Sequence, residues 1–197
     1  MTTAARPPES ETPMVDGQTE TTPWAVALER LQHPAPGQNH WLATVRPDGS
    51  PHLMPIIAFW IDGAFHFLAG EGTRKGRNLA VDERCVIGTG NLTLPSLDLI
   101  VEGRARPVTD EASVRRLAEE FGGEGWPLEA RGSDIFGPHG PTAGAPPYAI
   151  YRLEPTKVFG QPGMFGMFED DRHHKPTRWT FRSAGRAGVA DHLRSNG

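Results

Sequence analysis

Short runs of alternating apolar and polar residues, separated by turn signals, dominate the first half of the chain. Two Asp-Gly pairs, Asp48-Gly49 and Asp62-Gly63, divide these runs, and Asp-Gly is typical of tight hairpin turns because glycine tolerates positive φ. The pattern predicts five strands, at about 41–46, 51–60, 64–69, 85–91 and 97–108. Short strands joined by hairpin turns favour a mainly β fold, either a barrel or a sandwich.

Three other segments have helical features. Thr22-Pro23 offers an N-cap and a first-turn proline to a helix that ends near His33-Pro34. Thr73 is the expected N-cap of a short helix between the third and fourth strands. A third helix begins near Thr109, and its apolar residues recur at helical spacing on one buried face: Val114, Leu117, Ala118 and Phe121.

The remaining segments complete the expected domain. Residues 122–147 are rich in Gly and Pro and have no periodicity, which predicts a long loop that is either a lid over a binding site or padding. Residues 148–155 and 156–160 predict a pair of strands that closes the barrel, and residues 177–181 predict a last short strand.

Composition divides the chain into one domain with two tails. Residues 1–22 are polar and rich in Pro and Thr, so we expect a disordered arm that cannot bury enough apolar surface to offset its ordering entropy. Residues 23–182 form the expected domain, and residues 183–197 a flexible tail.

Charge and cysteine content narrow the classes of function. The chain has a formal net charge of -4 and a pI near 6.1, which gives no global electrostatic reason to bind nucleic acid. Its single cysteine, Cys85, excludes an internal disulfide and is expected to be a buried thiol in an apolar run. No apolar run reaches the roughly 20 residues that span a bilayer, and the first residues do not resemble a secretion signal. We therefore expect a cytoplasmic protein with no membrane partner.

The predicted second helix begins with an unusual concentration of cations. Helix starts already carry partial positive charge, so Arg74, Lys75 and Arg77 are unfavourable there unless an anion offsets them. Together with the hydroxyl of Thr73, the amide of Asn78 and free backbone N–H groups, these cations form the kind of site that holds a phosphate.

Two glycines just upstream strengthen this interpretation. Gly70 and Gly72 allow a ligand or a neighbouring backbone to approach closely at the end of a strand. The alternative is a solvated basic face that is neutralised by nearby carboxylates, namely Glu71, Asp82 and Glu83.

Three stretches of the chain resemble, in order and spacing, a known family. They are WLATVRPDGSPHLMPI, DGAFHFLAGEGTRKGRNLAVDERCVI and LIVEGRARPVTDEASVRRLAEEF. The family comprises the split-barrel flavin and deazaflavin oxidoreductases, which are similar to pyridoxamine 5′-phosphate oxidase. The resemblance implies a six-stranded antiparallel split β-barrel that forms a homodimer and holds its cofactor in a groove between the subunits.

The resemblance also implies a set of cofactor-binding residues. Around the phosphate it places Thr73, Arg74, Lys75 and Asn78, and Gly70 just upstream is also expected to bind the cofactor. Along the tricyclic ring it places Met54, Pro55, Ile56 and Ile57, with backbone groups reaching the polar edge of the ring. A proline inside a strand agrees with this, because it indicates an edge or bulge whose backbone groups are free. The alternative for this segment is a buried strand without a ligand.

The implied activity is that of an oxidoreductase in which the cofactor carries the chemistry, so no catalytic residue is predicted. The helix start TRKGRNL is similar to the branch that uses the deazaflavin coenzyme F420, which implies hydride transfer to a conjugated small molecule. FMN, with a pyridoxamine 5′-phosphate oxidase-like activity, is the alternative, although PTRWTF matches the C-terminal motif of those oxidases only loosely. A non-catalytic flavin or haem binder on the same fold is the competing class.

The remaining conspicuous side chains have structural interpretations. Adjacent histidines project differently, so His173-His174 indicates a solvated loop and no metal site. His52 and His66 fall on strands and are expected to be satisfied or surface imidazoles. Trp179 is expected to be a core or dimer contact, with a cover over the cofactor ring as the alternative.

Overall fold

The structure, a computed structural model, describes residues 7–35, 38–90, 95–123, 125–162 and 174–182. Within these ranges there are three helices, α1 (Trp24–Gln32), α2 (Arg74–Val81) and α3 (Glu111–Gly122). The strands, in chain order, are β1 (Ser10–Pro13), β2 (His40–Val45), β3 (Pro51–Ile56), β4 (Ala58–Ile61), β5 (Ala64–Gly70), β6 (Arg84–Thr89), β7 (Asp98–Pro107), β8 (Glu129–Arg131), β9 (Asp134–Phe136), β10 (Tyr148–Gln161) and β11 (Thr177–Thr180).

The strands form an antiparallel barrel whose circuit can be followed from β3. β3 pairs with β2, β2 with β6, β6 with β7 and β7 with β10. β10 also pairs with β5, and β5 pairs with β4. Because β4 follows β3 after a single residue, the chain itself closes the circuit. The expectation of a mainly β split barrel is therefore confirmed.

The second expected strand, 51–60, is divided at Ile57. β3 pairs with β2 up to Ile56, whereas β4 pairs with β5 from Ala58 onward. Ile56 and Ala58 are both buried and Ile57 is 52% exposed, so the alternation of side chains continues through the break. The segment thus changes its pairing partner from β2 to β5 while the same face stays buried. The change of partner forms a corner of the barrel at Ile57.

The prediction of two strands over residues 148–155 and 156–160 is wrong, because β10 is one continuous strand of 14 residues. Its register against β7 runs from Pro155 opposite Gly103 to Lys157 opposite Glu102, so Thr156 is an extra, bulged residue. A proline has no N–H to give to the ladder, and a bulge accommodates it without ending the strand.

The disordered arm expected over 1–22 also differs from the structure. β1 pairs with β11, the strand that flanks β10, and the buried Thr22 bonds to Thr177 and Lys175. Backbone hydrogen bonds to an edge strand need no apolar pattern, and this is why a hydrophobicity argument missed the pairing. Residues 1–6 and the expected tail 183–197 lie outside the described residues.

Two apolar clusters stabilise the fold. The first fills the barrel interior and includes the wholly buried Trp179, whose ring centroid lies 5.6 Å from that of Trp24. Trp179 is therefore a core residue. The second cluster lies between α3 and the outer side of β5, and it includes Ile135 of β9 and Tyr148. Most of the segment expected to be a loop thus packs against α3. In the part of the chain that the structure describes, no helix is long and apolar enough to cross a bilayer.

Candidate functional site

The start of α2 is fixed by Thr73, as the sequence predicts. The Thr73 hydroxyl accepts a hydrogen bond from the Gly76 N–H at 3.1 Å and donates one to the Gly70 carbonyl at 2.7 Å. The first turn of α2 contains no acidic residue. The first N–H groups of a helix have no acceptor within the helix, so this turn presents uncompensated positive charge.

The cations of this turn occupy two different environments. Arg74 and Arg77 are exposed, whereas Lys75 is wholly buried and its ammonium donates a hydrogen bond to the Thr142 carbonyl. Burial lowers the pKa of Lys75 from 10.5 to about 8. Arg74 is therefore accessible from solvent at this turn, whereas Lys75 contributes its charge from within the protein.

Two of the three carboxylates of the alternative interpretation, Asp82 and Glu83, are engaged elsewhere. Asp82 forms an ion pair with Arg84 at 2.6 Å. Glu83 forms ion pairs with two arginines of β7, Arg104 and Arg106. Asp82 and Glu83 therefore do not neutralise the turn, and of the three carboxylates only Glu71, which is exposed, stays next to it.

The close approach at Gly70 is made by the chain itself. The Gly70 N–H donates to the Ala143 carbonyl at 2.9 Å, and a Cβ on Gly70 would lie 2.7 Å from the Ala145 carbonyl oxygen. The segment 138–147 is anchored by the Tyr148 hydroxyl, which bonds to the backbone of three residues; they are Pro138, Gly140 and Gly144. The sequence allowed either a ligand or a neighbouring backbone to approach Gly70 closely. The structure shows the neighbouring backbone.

A polar network links α2 to the β2–β3 hairpin. The buried Asn78 donates from Nδ2 to the Thr44 hydroxyl at 2.9 Å, and this hydroxyl lies 3.4 Å from His52 Nδ1. Burial lowers the pKa of His52, and the positive charges of Arg46, Arg74 and Lys75 lower it further. Sequence reasoning missed Thr44 and gave His52 a structural role. Counting from a two-residue Asp48-Gly49 turn would set Thr44 opposite Leu53. The observed loop has three residues, 47–49, with Arg46 bonded to Ser50, and this register sets Thr44 opposite His52.

The expected ring-contact segment runs along β3 away from this network. Met54 and Ile56 point toward the barrel interior, whereas Pro55 and Ile57 point outward. The four side chains therefore do not share one face, because side chains alternate along a strand. Among the described residues β3 pairs only with β2, so its other edge offers backbone N–H and C=O groups.

His52 lies near the start of β3 and connects that strand with α2 through the Thr44 hydroxyl. At about 3.4 Å per residue, Met54 and Ile57 lie roughly 7 and 17 Å along the chain from His52.

Other sequence candidates fall outside this site. Cys85 is buried, and burial raises the pKa of its thiol to about 12. His66 is buried on β5, and burial lowers its pKa to about 4. His173 lies outside the described residues, and within the described part of the chain no three His, Cys, Asp or Glu side chains form a metal-binding group.

Comparison with known proteins identifies the family. Residues 38–161 match the pyridoxamine 5′-phosphate oxidase family. The chain belongs to this family. The match includes β2 to β10, and with them the whole of α2 and the edge of β3 described above. No curated protein sequence matches the chain.

Solved structures with the same fold are distant in sequence. A pyridoxamine 5′-phosphate oxidase-like protein from Listeria innocua has 16% identity and a TM-score of 0.52, covering 71% of this chain and 96% of its own. A haem-binding protein from Mycobacterium smegmatis has 19% identity and a TM-score of 0.51, covering 74% of this chain and 57% of its own. An F420 reductase has 24% identity and a TM-score of 0.44, covering 65% of this chain and 91% of its own. At these identities the first two matches show the shared fold alone.

Proposed function

We propose that this protein is an oxidoreductase that binds a phosphate-bearing flavin-type cofactor, with the phosphate at the start of α2 and the ring along the edge of β3. We favour the deazaflavin coenzyme F420, since the helix start TRKGRNL is similar to the deazaflavin branch of the family. The substrate class is a conjugated small molecule that accepts hydride. FMN is the second candidate, because the same site offers it the same contacts.

One observation carries the proposal. Two cations with no acidic partner in the helix turn, Arg74 and Lys75, meet the polar network of Asn78 and His52 at one end of the barrel. The buried Lys75 and the start of α2 both carry positive charge and repel each other. Without a counter-charge this repulsion destabilises the folded protein. A phosphate supplies that counter-charge.

The chain's own residues would hold and orient the cofactor. Arg74 and the first N–H groups of α2 would bind the phosphate, and the buried Lys75 would add its charge. The backbone of β3 would offer hydrogen bonds to the polar edge of the ring, and Ile57 an apolar contact. The bound cofactor supplies the hydride-transfer chemistry, so the chain needs no nucleophile or acid–base pair of its own.

A second copy of the chain is proposed to complete the site. The outer face of β2 and β3 exposes Trp41 (43%) and Leu53 (61%). Beside them lies an open groove of about 390 Å³ over β2, β6 and β7. Large apolar side chains grouped on one sheet face are typical of an interface. Leu53→Asp should therefore convert a dimer to a monomer in sedimentation experiments and weaken cofactor binding.

The proposal is tested by titrating the protein with coenzyme F420, FMN and riboflavin while following fluorescence. Arg74→Gln removes an exposed charge-assisted contact and should weaken F420 and FMN binding about tenfold, since such a bond contributes roughly 1.5–3 kcal/mol. Riboflavin has no phosphate, so its affinity should not change. Arg115→Gln, an exposed arginine on α3, is the matched control. Equal affinities of wild type and Arg74→Gln for all three ligands would remove the phosphate site from α2, and tight binding of haem alone would favour a non-catalytic binder.

A further inference from the structure

His52 is the titratable side chain that approaches the start of α2 from the opposite hairpin. It lies directly across from Thr44 in the β2–β3 register, and both side chains lie on the inner side of the hairpin. The Thr44 hydroxyl also accepts the hydrogen bond from Asn78. His52 is thus connected to α2 through one hydroxyl group.

The groups that act electrostatically on His52 all carry positive charge. They are Arg46 from the β2–β3 turn and Arg74 and Lys75 from α2. Burial is the larger cause of the lowered pKa of His52, and the three cations lower it further. Both effects favour the neutral imidazole while no anion is present.

A second observation at the same place indicates a ligand. Asn78 is wholly buried, and its Oδ1 has no hydrogen-bond partner among the described residues. Buried amide atoms normally have partners, so an unpaired one calls for a group that the protein itself does not supply. With the amide reversed, Thr44 donates to Oδ1, and Nδ2 becomes a free donor suited to a phosphate oxygen.

We propose that His52 belongs to the anion site at the start of α2 and takes up a proton from water when a phosphate-bearing cofactor binds there. The inference rests on the proposed function. A phosphate placed among Arg46, Arg74 and Lys75 offsets their repulsion and stabilises the imidazolium. The protonated ring then donates a charge-assisted hydrogen bond to the phosphate. Cofactor affinity is consequently linked to pH through this one side chain.

The sign of the linkage follows from the proton count. The complex holds one proton more than the free protein, so the contribution of His52 to affinity grows as the pH falls. The phosphate and Lys75 also titrate, and they do so in wild type and in a His52 variant alike. The change with pH in the ratio of the two affinities is therefore the measure of the contribution of His52.

The experiment compares wild type, His52→Gln and His33→Gln, with FMN and riboflavin as probes. At about pH 6, His52→Gln should bind FMN about tenfold more weakly than wild type, whereas at about pH 8.5 the two should agree within about twofold. His33, exposed at the end of α1, serves as the matched control and should behave as wild type. Riboflavin affinity should be equal in all three proteins, which also shows that the variants are folded.

Calorimetry in buffers of different ionisation enthalpy gives a second readout. Near pH 7 wild type should take up more protons on binding FMN than His52→Gln does, because Lys75 and the phosphate titrate in both proteins. An FMN affinity ratio that is the same at both pH values, or equal proton uptake by wild type and His52→Gln on binding FMN, would overturn the inference while leaving the proposed function standing. A wild type that binds FMN no better than riboflavin at any pH would refute the phosphate site itself, and with it this inference.

Discussion

Lys75 should make the stability of the ligand-free protein depend on pH between about 8 and 10.5. Burial lowers its folded-state pKa from 10.5 to about 8, so below pH 8 the folded protein bears the cost of a buried charge. Between these values the unfolded chain keeps the proton that the folded chain has lost, and the free energy of unfolding rises with pH. At 1.36 kcal/mol per pKa unit the full effect is about 3 kcal/mol, and about 2 kcal/mol of it falls between pH 7.5 and 10.

The perturbation that isolates this effect is Lys75→Met, which keeps the length of the side chain and removes the charge. The variant also leaves the Thr142 carbonyl without its donor, a cost of about 1–3 kcal/mol that is the same at every pH. Urea denaturation at pH 7.5 and 10 should therefore show wild type gaining about 2 kcal/mol relative to Lys75→Met. Lys157→Met, on an exposed lysine of β10, should retain the wild-type behaviour. If the free energy of unfolding changed equally with pH in wild type and in Lys75→Met, the claim that Lys75 carries a buried charge would be refuted.

Three further predictions follow from the fold. Gly103→Ala should destabilise the protein by about 3 kcal/mol or prevent folding, because its Cβ would collide with the Glu154 carbonyl oxygen. Gly88→Ala is the control, since no atom lies within 4 Å of its added Cβ, and its free energy of unfolding in the same urea assay should stay within about 1 kcal/mol of wild type. Deleting residues 1–16 removes β1 and should lower the melting temperature by roughly 5–15 °C, whereas deleting residues 1–7 leaves β1 intact and should have little effect. Cys85 should resist a thiol reagent at pH 8 in the native protein and react at once in urea, and rapid native labelling would contradict its burial.

The local parts of the site could be predicted from sequence. The Asp48-Gly49 pair locates the β2–β3 hairpin, although the loop has three residues and shifts the register by one from that of a two-residue turn. A threonine before a helical segment is a reliable N-cap signal, and Thr73 is the N-cap of α2. Both features depend on residues close together in the chain. The hairpins and the start of α2 accordingly lie where the pattern indicates.

The features that sequence reasoning missed depend on distant parts of the chain. The burial of Lys75 is produced by Thr142, 67 residues away, and no local pattern distinguishes it from the exposed Arg74. The pairing of β1 with β11 rests on backbone hydrogen bonds that any polar segment can make. The continuity of β10 past Pro155 depends on a bulge whose register is set by β7.

The central claim is that the start of α2 and the edge of β3 hold a phosphate-bearing flavin-type cofactor. It is tested most directly by purifying the protein from a host that makes both FMN and coenzyme F420, and then measuring the absorbance spectrum and mass of the released ligand. We predict a deazaflavin spectrum and the mass of coenzyme F420, with FMN as the second candidate. Release of haem, or of no chromophore from a protein that also fails to bind added F420 and FMN, would contradict the account.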